Sequence, residues 1–220
     1  MVTSPHAPWR LQGEIMLGWV RAPAALRSLL PEGVRFLPGP AALVAAHYTD
    51  SPVGPYLELS LAVPARLGLR PGLSVVLQLL SSTEARTGYR HNWGLPATVG
   101  QLSWLVDGEA RVLRCRRPDL EVRGIPGRPP IPAVVPIRSL QRRADGPVVL
   151  PRRLVALVRP ARMEVTVDQV GGDGSDVDLG FLAGSHPGLM MATARISAHP
   201  ARHPIGLLSS LRAPLRAIEP

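Results

Sequence analysis

Proline and glycine recur so often along this chain that many short strands are expected, punctuated by turns. The 25 prolines and 21 glycines fall between apolar runs and do not gather in one tail. Proline removes a backbone donor and glycine lets the chain turn, so short apolar runs bounded by them read as strands. A single domain covering residues 1–220 follows, mainly β (α+β), with a few short helices. At this length a domain buries on the order of 70% of its unfolded surface, enough for one sizeable core.

The stretch Tyr48–Glu58, "YTDSPVGPYLE", places a turn cluster (Asp50, Ser51, Pro52, Gly54, Pro55) between two strand-like runs. Its second run, "YLELSLAV", is apolar except for Glu58 and Ser60. A carboxylate in such a strand needs a reason. Upstream, "EIMLGWV" reads as a strand, Ala22–Leu30 as a short helix stopped by Pro31 and Gly33, and "PGPAALVAAHY" as the strand entering the turn. Downstream, "SVVLQLL" is a buried strand, and a helix runs from about Ser82 to Trp93. Ser81 with Glu84 fits a capping box there, and Gly94 and Pro96 supply the stop. On that helix Arg86 and Arg90 share a face, with Glu84, Thr87 and His91 near them. Asp107-Gly108 marks a hairpin. "LEVRGI" and "IRSLQRR" are strands separated by the extended "PGRPPIPAVVP", and "RLVALVRPARMEVTVDQV" is broken at Pro160. "GLMMATARISAHP" has strand character, and "PIGLLSSLRAPLRAIEP" fits neither helix nor strand cleanly.

Every basic residue is arginine and lysine is absent, with a formal net charge of +9. Nucleic-acid binding wants basic residues clustered with aromatic platforms, and only 4% of residues are aromatic. An arginine-only, Ala/Pro/Gly-heavy composition is what high-GC coding imposes, so neither nucleic acid nor membrane is expected as a partner. Cys115 is the only cysteine. No intrachain disulfide can form, the default is a reducing cytoplasm, and nothing local would lower the thiol's pKa. No basic-then-apolar leader opens the chain and no apolar run approaches about 18 residues. With 45% hydrophobic and 19% charged residues, the surface is expected to carry apolar area that a homo-oligomer would cover.

No metal or cofactor is expected. Gly171–Leu179, "GGDGSDVDL", resembles one calcium-binding nonapeptide, with Asp173, Asp176 and Asp178 as oxygen ligands. A single copy cannot stack, and Asp178 sits where that repeat wants an apolar residue. His199 and His203 have metal-like spacing, but Pro200 interrupts a helix and no cysteine completes the set. No phosphate-binding glycine loop or serine-nucleophile motif occurs.

"YTDSPVGPYLEL" followed by "SSTEARTGYRHNWGLPATVGQL" resembles the acetoacetate decarboxylase-like superfamily. The order of parts agrees over residues 10–105: an early strand, a short helix ending in "LPEGV", the turn before Y-x-E, and a helix running into a Gly-x-Pro corner. The resemblance implies an antiparallel, cone-like β barrel around a small apolar cavity. It also implies a lysine behind the corner proline, which forms an imine with a β-keto acid and so accepts the electrons released on decarboxylation. Acetoacetate decarboxylase is itself the standard example of a lysine activated by desolvation and a neighbouring cation. Here that position and the next are Ala97 and Thr98. Arginine cannot replace the amine, because its guanidinium stays protonated. The family's acidic residue on the preceding strand falls on Leu43 and its arginine beside Glu14 on Gly13, whereas Glu58 is retained.

Three readings follow. In the first, the inherited cavity binds a small carboxylate or keto compound without an imine. Arg86 or Arg90 would hold an anionic group, Glu58, Tyr56 and His91 would set polar specificity, and Ala97, Thr98 and Leu43 would line the space. In the second, Glu58 or His91 transfers a proton on a carbonyl compound. In the third, the cavity has collapsed and large side chains fill the space beside Ala97. Glu58 either lines a cavity or is paired with Arg86 or Arg90.

Overall fold

The computed structural model describes residues 5–168 and 178–204. Its strands are β1 (Trp9–Arg21), β2 (Val34–Phe36), β3 (Pro40–Asp50), β4 (Tyr56–Leu67) and β5 (Arg70–Leu80), then helix α1 (Thr83–Trp93). After the helix come β6 (Ala97–Val99), β7 (Leu102–Asp107), β8 (Ala110–Arg116), β9 (Asp119–Pro126), β10 (Ile131–Arg143), β11 (Gly146–Asp168) and β12 (Gly184–Ala198). They form one sheet in the order β10-β5-β4-β3-β1-β12-β11-β9-β8-β7. The sheet curls until β10 also pairs with β11 along its whole length, while it meets β5 only at Ser139 and Leu73. The result is the mainly β, antiparallel, cone-like architecture, an irregular ring with β9, β8 and β7 carried off it as a flap.

This geometry makes two cores from one sheet. Side chains alternate across a strand, so Ala42, Ala46, Tyr48, Tyr56 and Ala62 enter the ring with Leu150, Leu154 and Ile196. Leu43, Ala45, Leu59, Leu61 and Val63 point the other way and are covered by Leu113, Cys115, Val122 and Met163. β3 and β4 are thus buried on both faces, which is why "LSLAV" is apolar apart from Ser60. Cys115 is buried, and burial pushes its thiol up.

α1 closes one end of the ring, burying Ala85, Tyr89 and Trp93, which recur every four residues. Its cap is one residue later than the sequence suggests. Ser82 Oγ accepts from the Ala85 N–H (3.1 Å), while Ser81 Oγ accepts from the Leu57 N–H (2.8 Å) and ties the helix entry to β4. Gly94 ends the helix in the left-handed region at φ 65°, and a Cβ there would overlap the Arg142 carbonyl oxygen. Gly94→Ala is therefore expected to lower stability by about 2 kcal/mol or more, a fall in Tm of roughly 4–8 °C by calorimetry. An unchanged Tm would show that β10 can retreat from this corner.

Four expectations are corrected here. The strands are not uniformly short: β1 and β10 run 13 residues, β12 runs 15 and β11 runs 23, because several prolines fall where a ladder partner is missing or changes. Ala24–Leu29 is a 3-10 turn and not an α-helix, because Pro23 and Pro31 bracket a segment too short to propagate one and Pro23 offers no side-chain cap. "IPAVVP" belongs to β10: Pro132 and Pro136 pair with Leu157 and Arg153, and β5 leaves this half of β10 uncovered, so proline there breaks no second ladder. Pro160 does not break β11. β10 pairs β11 up to Val158 and β9 takes over at Ala161, so Pro160 sits between the two partners where no N–H is needed.

Candidate functional site

Glu58 lies on the inner face of β4 and is buried. Three donors converge on it. Ser60 Oγ and Gln78 Nε2 each donate to Oε1 at 2.9 Å, and Tyr89 OH donates to Oε2 at 3.3 Å. Tyr89 OH also meets Tyr56 OH at 2.8 Å, and Tyr48 packs on Tyr56 with ring centroids 5.0 Å apart. Burial first, and then the Glu58 charge, hold the Tyr48 and Tyr89 phenols well above their usual range. Burial and the two neighbouring phenols do the same for Tyr56. All three hydroxyls therefore stay protonated in neutral solution.

Ala97 is on the same inner core, and β6 runs parallel to β5 with Ala97 opposite Gln78. The position behind the corner proline thus lies beside a residue that binds Glu58. Ala97 and Tyr89 are each only 1% exposed. Trp9, Tyr89 and Trp93 pack edge to face above them, with centroids 5.1–5.6 Å apart. The N-terminal arm seals this end: Pro5 O accepts from Trp9 Nε1 and Asn92 Nδ2, and the Ala7 N–H donates to Asn92 Oδ1.

The structure brings Glu58, Tyr56 and Ala97 together and places the other sequence candidates elsewhere. Leu43 is on the opposite face of β3, in the outer core, because it is an odd number of residues from Ala46, which pairs with Glu58. Arg90 and His91 are exposed, one and two positions round the helix from the inward Tyr89, and the His91 ring faces His6 at 5.7 Å. Arg86 is half-buried with its Nε unpartnered; neither it nor Arg90 pairs with Glu58, whose partners are Ser60, Gln78 and the tyrosines. Thr98 is exposed, and its Oγ1 donates to the Gln78 carbonyl (3.2 Å), fixing β6 to β5. Gly13 sits at a bulge where a Cβ would overlap the His47 carbonyl, so no side chain beside Glu14 can stand there.

Sequence reasoning missed Tyr89, Gln78 and Arg152. Gln78 carried a signal as the lone polar residue inside the apolar run "VVLQLL". Arg152 was legible by alternation with Leu150 and Leu154, both inward on β11. Its guanidinium carbon is 6.0 Å from the Tyr89 ring centroid and 5.9 Å from that of Trp93. Among the described residues no group of three or more His, Cys, Asp and Glu is placed to hold a metal ion. His203 Nε2 instead meets Asp145 (3.3 Å), and the His199 carbonyl accepts from Trp93 Nε1. Residues 171–177 of the calcium-like nonapeptide lie outside the described residues, and Asp178 Oδ1 accepts from the Gly180 N–H.

The family described as acetoacetate decarboxylase (ADC) matches residues 4–172 of the sequence. The chain belongs to the acetoacetate decarboxylase family. Solved structures with the same fold include the enduracididine biosynthesis enzyme MppR complexed with pyruvate, with TM-score 0.64 and 19% identity over 92% of this chain and 91% of that one. Acetoacetate decarboxylase from Legionella pneumophila subsp. pneumophila str. Philadelphia 1 gives TM-score 0.61 and 15% identity over 92% and 90%. An acetoacetate decarboxylase-like enzyme from Sphingomonas wittichii RW1 gives 0.62 and 14% over 89% and 93%. No curated protein sequence matches this family member.

Proposed function

We propose that this acetoacetate decarboxylase family protein binds a small carboxylate or keto compound in the inner site around Glu58 and does so without forming an imine. The observation that carries this reading is the polar cluster itself. Glu58, Gln78, Ser60, Tyr89 and Tyr56 are hydrogen-bonded to one another, with Tyr48 packed on Tyr56, inside an otherwise apolar ring, while Ala97 stands where the family places its amine. Buried polar groups are expensive to retain, and a protein needing only a core would fill this space with apolar side chains. MppR, of the same fold, is described as a complex with pyruvate, which supports a compound of that size.

The tight packing of Ala97, Tyr89 and Trp93 favours a second reading, in which aromatic side chains have filled the cavity and the cluster is structural. One experiment separates the two. The protein is heated with and without pyruvate or acetoacetate, and parallel samples are treated with borohydride and weighed by mass spectrometry. The expected result is saturable stabilisation, about 2.7 kcal/mol at a hundred times Kd, with no covalent adduct. An adduct would overturn the imine-free mechanism, and the absence of any stabilisation would favour the filled cavity.

Self-association and a cytoplasmic location remain part of this proposal. Val134, Val155 and Leu157 are exposed on the outer face of the β10–β11 pair, which supports a covered surface. No helix among the described residues is long and apolar enough to cross a membrane.

A further inference from the structure

Arg111 shows how a guanidinium grips a carboxylate in this protein. Its Nε donates to Glu14 Oε2 (3.0 Å) and its Nη2 to Oε1 (3.1 Å), so one edge of the fork holds both oxygens. Arg152 carries the same edge into the ring. There, Nε and Nη2 are both buried and neither has an acceptor. The rest of the residue is fixed by β11, between the buried Leu150 and Leu154, and by the faces of Tyr89 and Trp93.

Glu58 does not serve as the missing acceptor, because Ser60, Gln78 and Tyr89 donate to it. It is nonetheless close enough that Tyr48 and Tyr89 feel both Glu58 and Arg152. Two adjacent, parallel guanidinium N–H groups buried without an acceptor are costly, and they match a carboxylate in spacing and charge. The negative charge of Glu58 across the same tyrosines disfavours a second carboxylate on the ligand.

We propose that the Nε/Nη2 edge of Arg152 is a ligand-binding element that takes a small monocarboxylate side-on, with the rest of the molecule against Tyr89 and Trp93. This rests on the reading that the inner site binds such a compound. It names a residue on β11, outside the helix–corner segment to which the sequence pointed, as the anion's partner.

The test uses the full chain with pyruvate, acetate, succinate and acetone as probes, read by NMR titration and thermal shift. Arg152→Gln is expected to weaken pyruvate and acetate about 10–100-fold while leaving acetone unchanged. Arg152→Lys keeps the cation and its long stem but loses the fork, and should fall between; it also serves if the glutamine variant does not fold. Succinate should bind the wild type more weakly than acetate. Equal pyruvate affinity in wild type and Arg152→Gln would overturn the assignment while leaving the binding reading intact. Binding of acetone but of no carboxylate would do the same. If no probe binds the wild type, the assignment and the reading fall together.

Discussion

Raising the pH above about 10 is expected to unfold the protein in one cooperative step, with all of its tyrosinate absorbance appearing in that step. The chain has three tyrosines, and Tyr48, Tyr56 and Tyr89 are all buried around Glu58. Each phenol is held above its ordinary value, mainly by burial. A raised folded pKa means that the stabilising contribution is fully present below the unfolded value, near 10, and is lost as pH climbs beyond it. Each unit of separation is worth about 1.4 kcal/mol per residue, so three phenols together weigh heavily against a total stability of about 5–15 kcal/mol. Lysine is absent and arginine does not titrate here, which leaves Cys115 as the other side chain that ordinarily ionises near this window. Absorbance at 295 nm and far-UV circular dichroism should share one midpoint. Tyrosinate appearing while the dichroism is still native would show that one of these hydroxyls reaches solvent, and the enclosed cluster would be wrong.

Trp93→Ala should be the most damaging single truncation at this end of the ring, at about 3–5 kcal/mol by denaturant titration. Trp93 is 1% exposed, packs against Trp9 and Tyr89, and donates its indole N–H to the His199 carbonyl at 2.9 Å. The substitution opens a cavity, leaves a carbonyl without its donor and removes one of the two rings beneath Arg152. A loss below about 1 kcal/mol would mean that the arm and helix collapse onto the space, and that the aromatic stack is not what closes the ring.

Much of this arrangement could be read from the chain because local rules settled it. Gly94 and Pro96 had to end α1, Gly108 had to turn β7 into β8, and Tyr56 and Glu58 had to share a face because they are two residues apart. The misreadings arose where the outcome depended on which strand lay alongside. Pro132, Pro136 and Pro160 look like breakers in sequence, yet each falls where a neighbour is missing or changes. Leu43 matches a family position in sequence, but its side chain lies on the outer face of β3. Arg86 and Arg90 lie on the helix next to the corner in sequence, yet neither reaches Glu58 in the fold. Arg152, 94 positions from Glu58, reaches the same site only once β11 joins the ring.

The change of partner at Pro160 divides one strand between two structural units. N-terminal to it, β11 completes the ring with β10; C-terminal to it, β11 anchors the flap through β9. Loosening the flap therefore breaks ladder bonds only beyond Pro160 and leaves the registry of Arg152 with Ile137 and Ala198 untouched. Substitutions on the exposed face of β7–β9 leave that registry alone, whereas those at Leu113, Cys115 and Val122 bear on the outer core that backs β3 and β4. One proline thus marks where the strand passes from the ring's ladder to the flap's, while packing across the outer core keeps the two together.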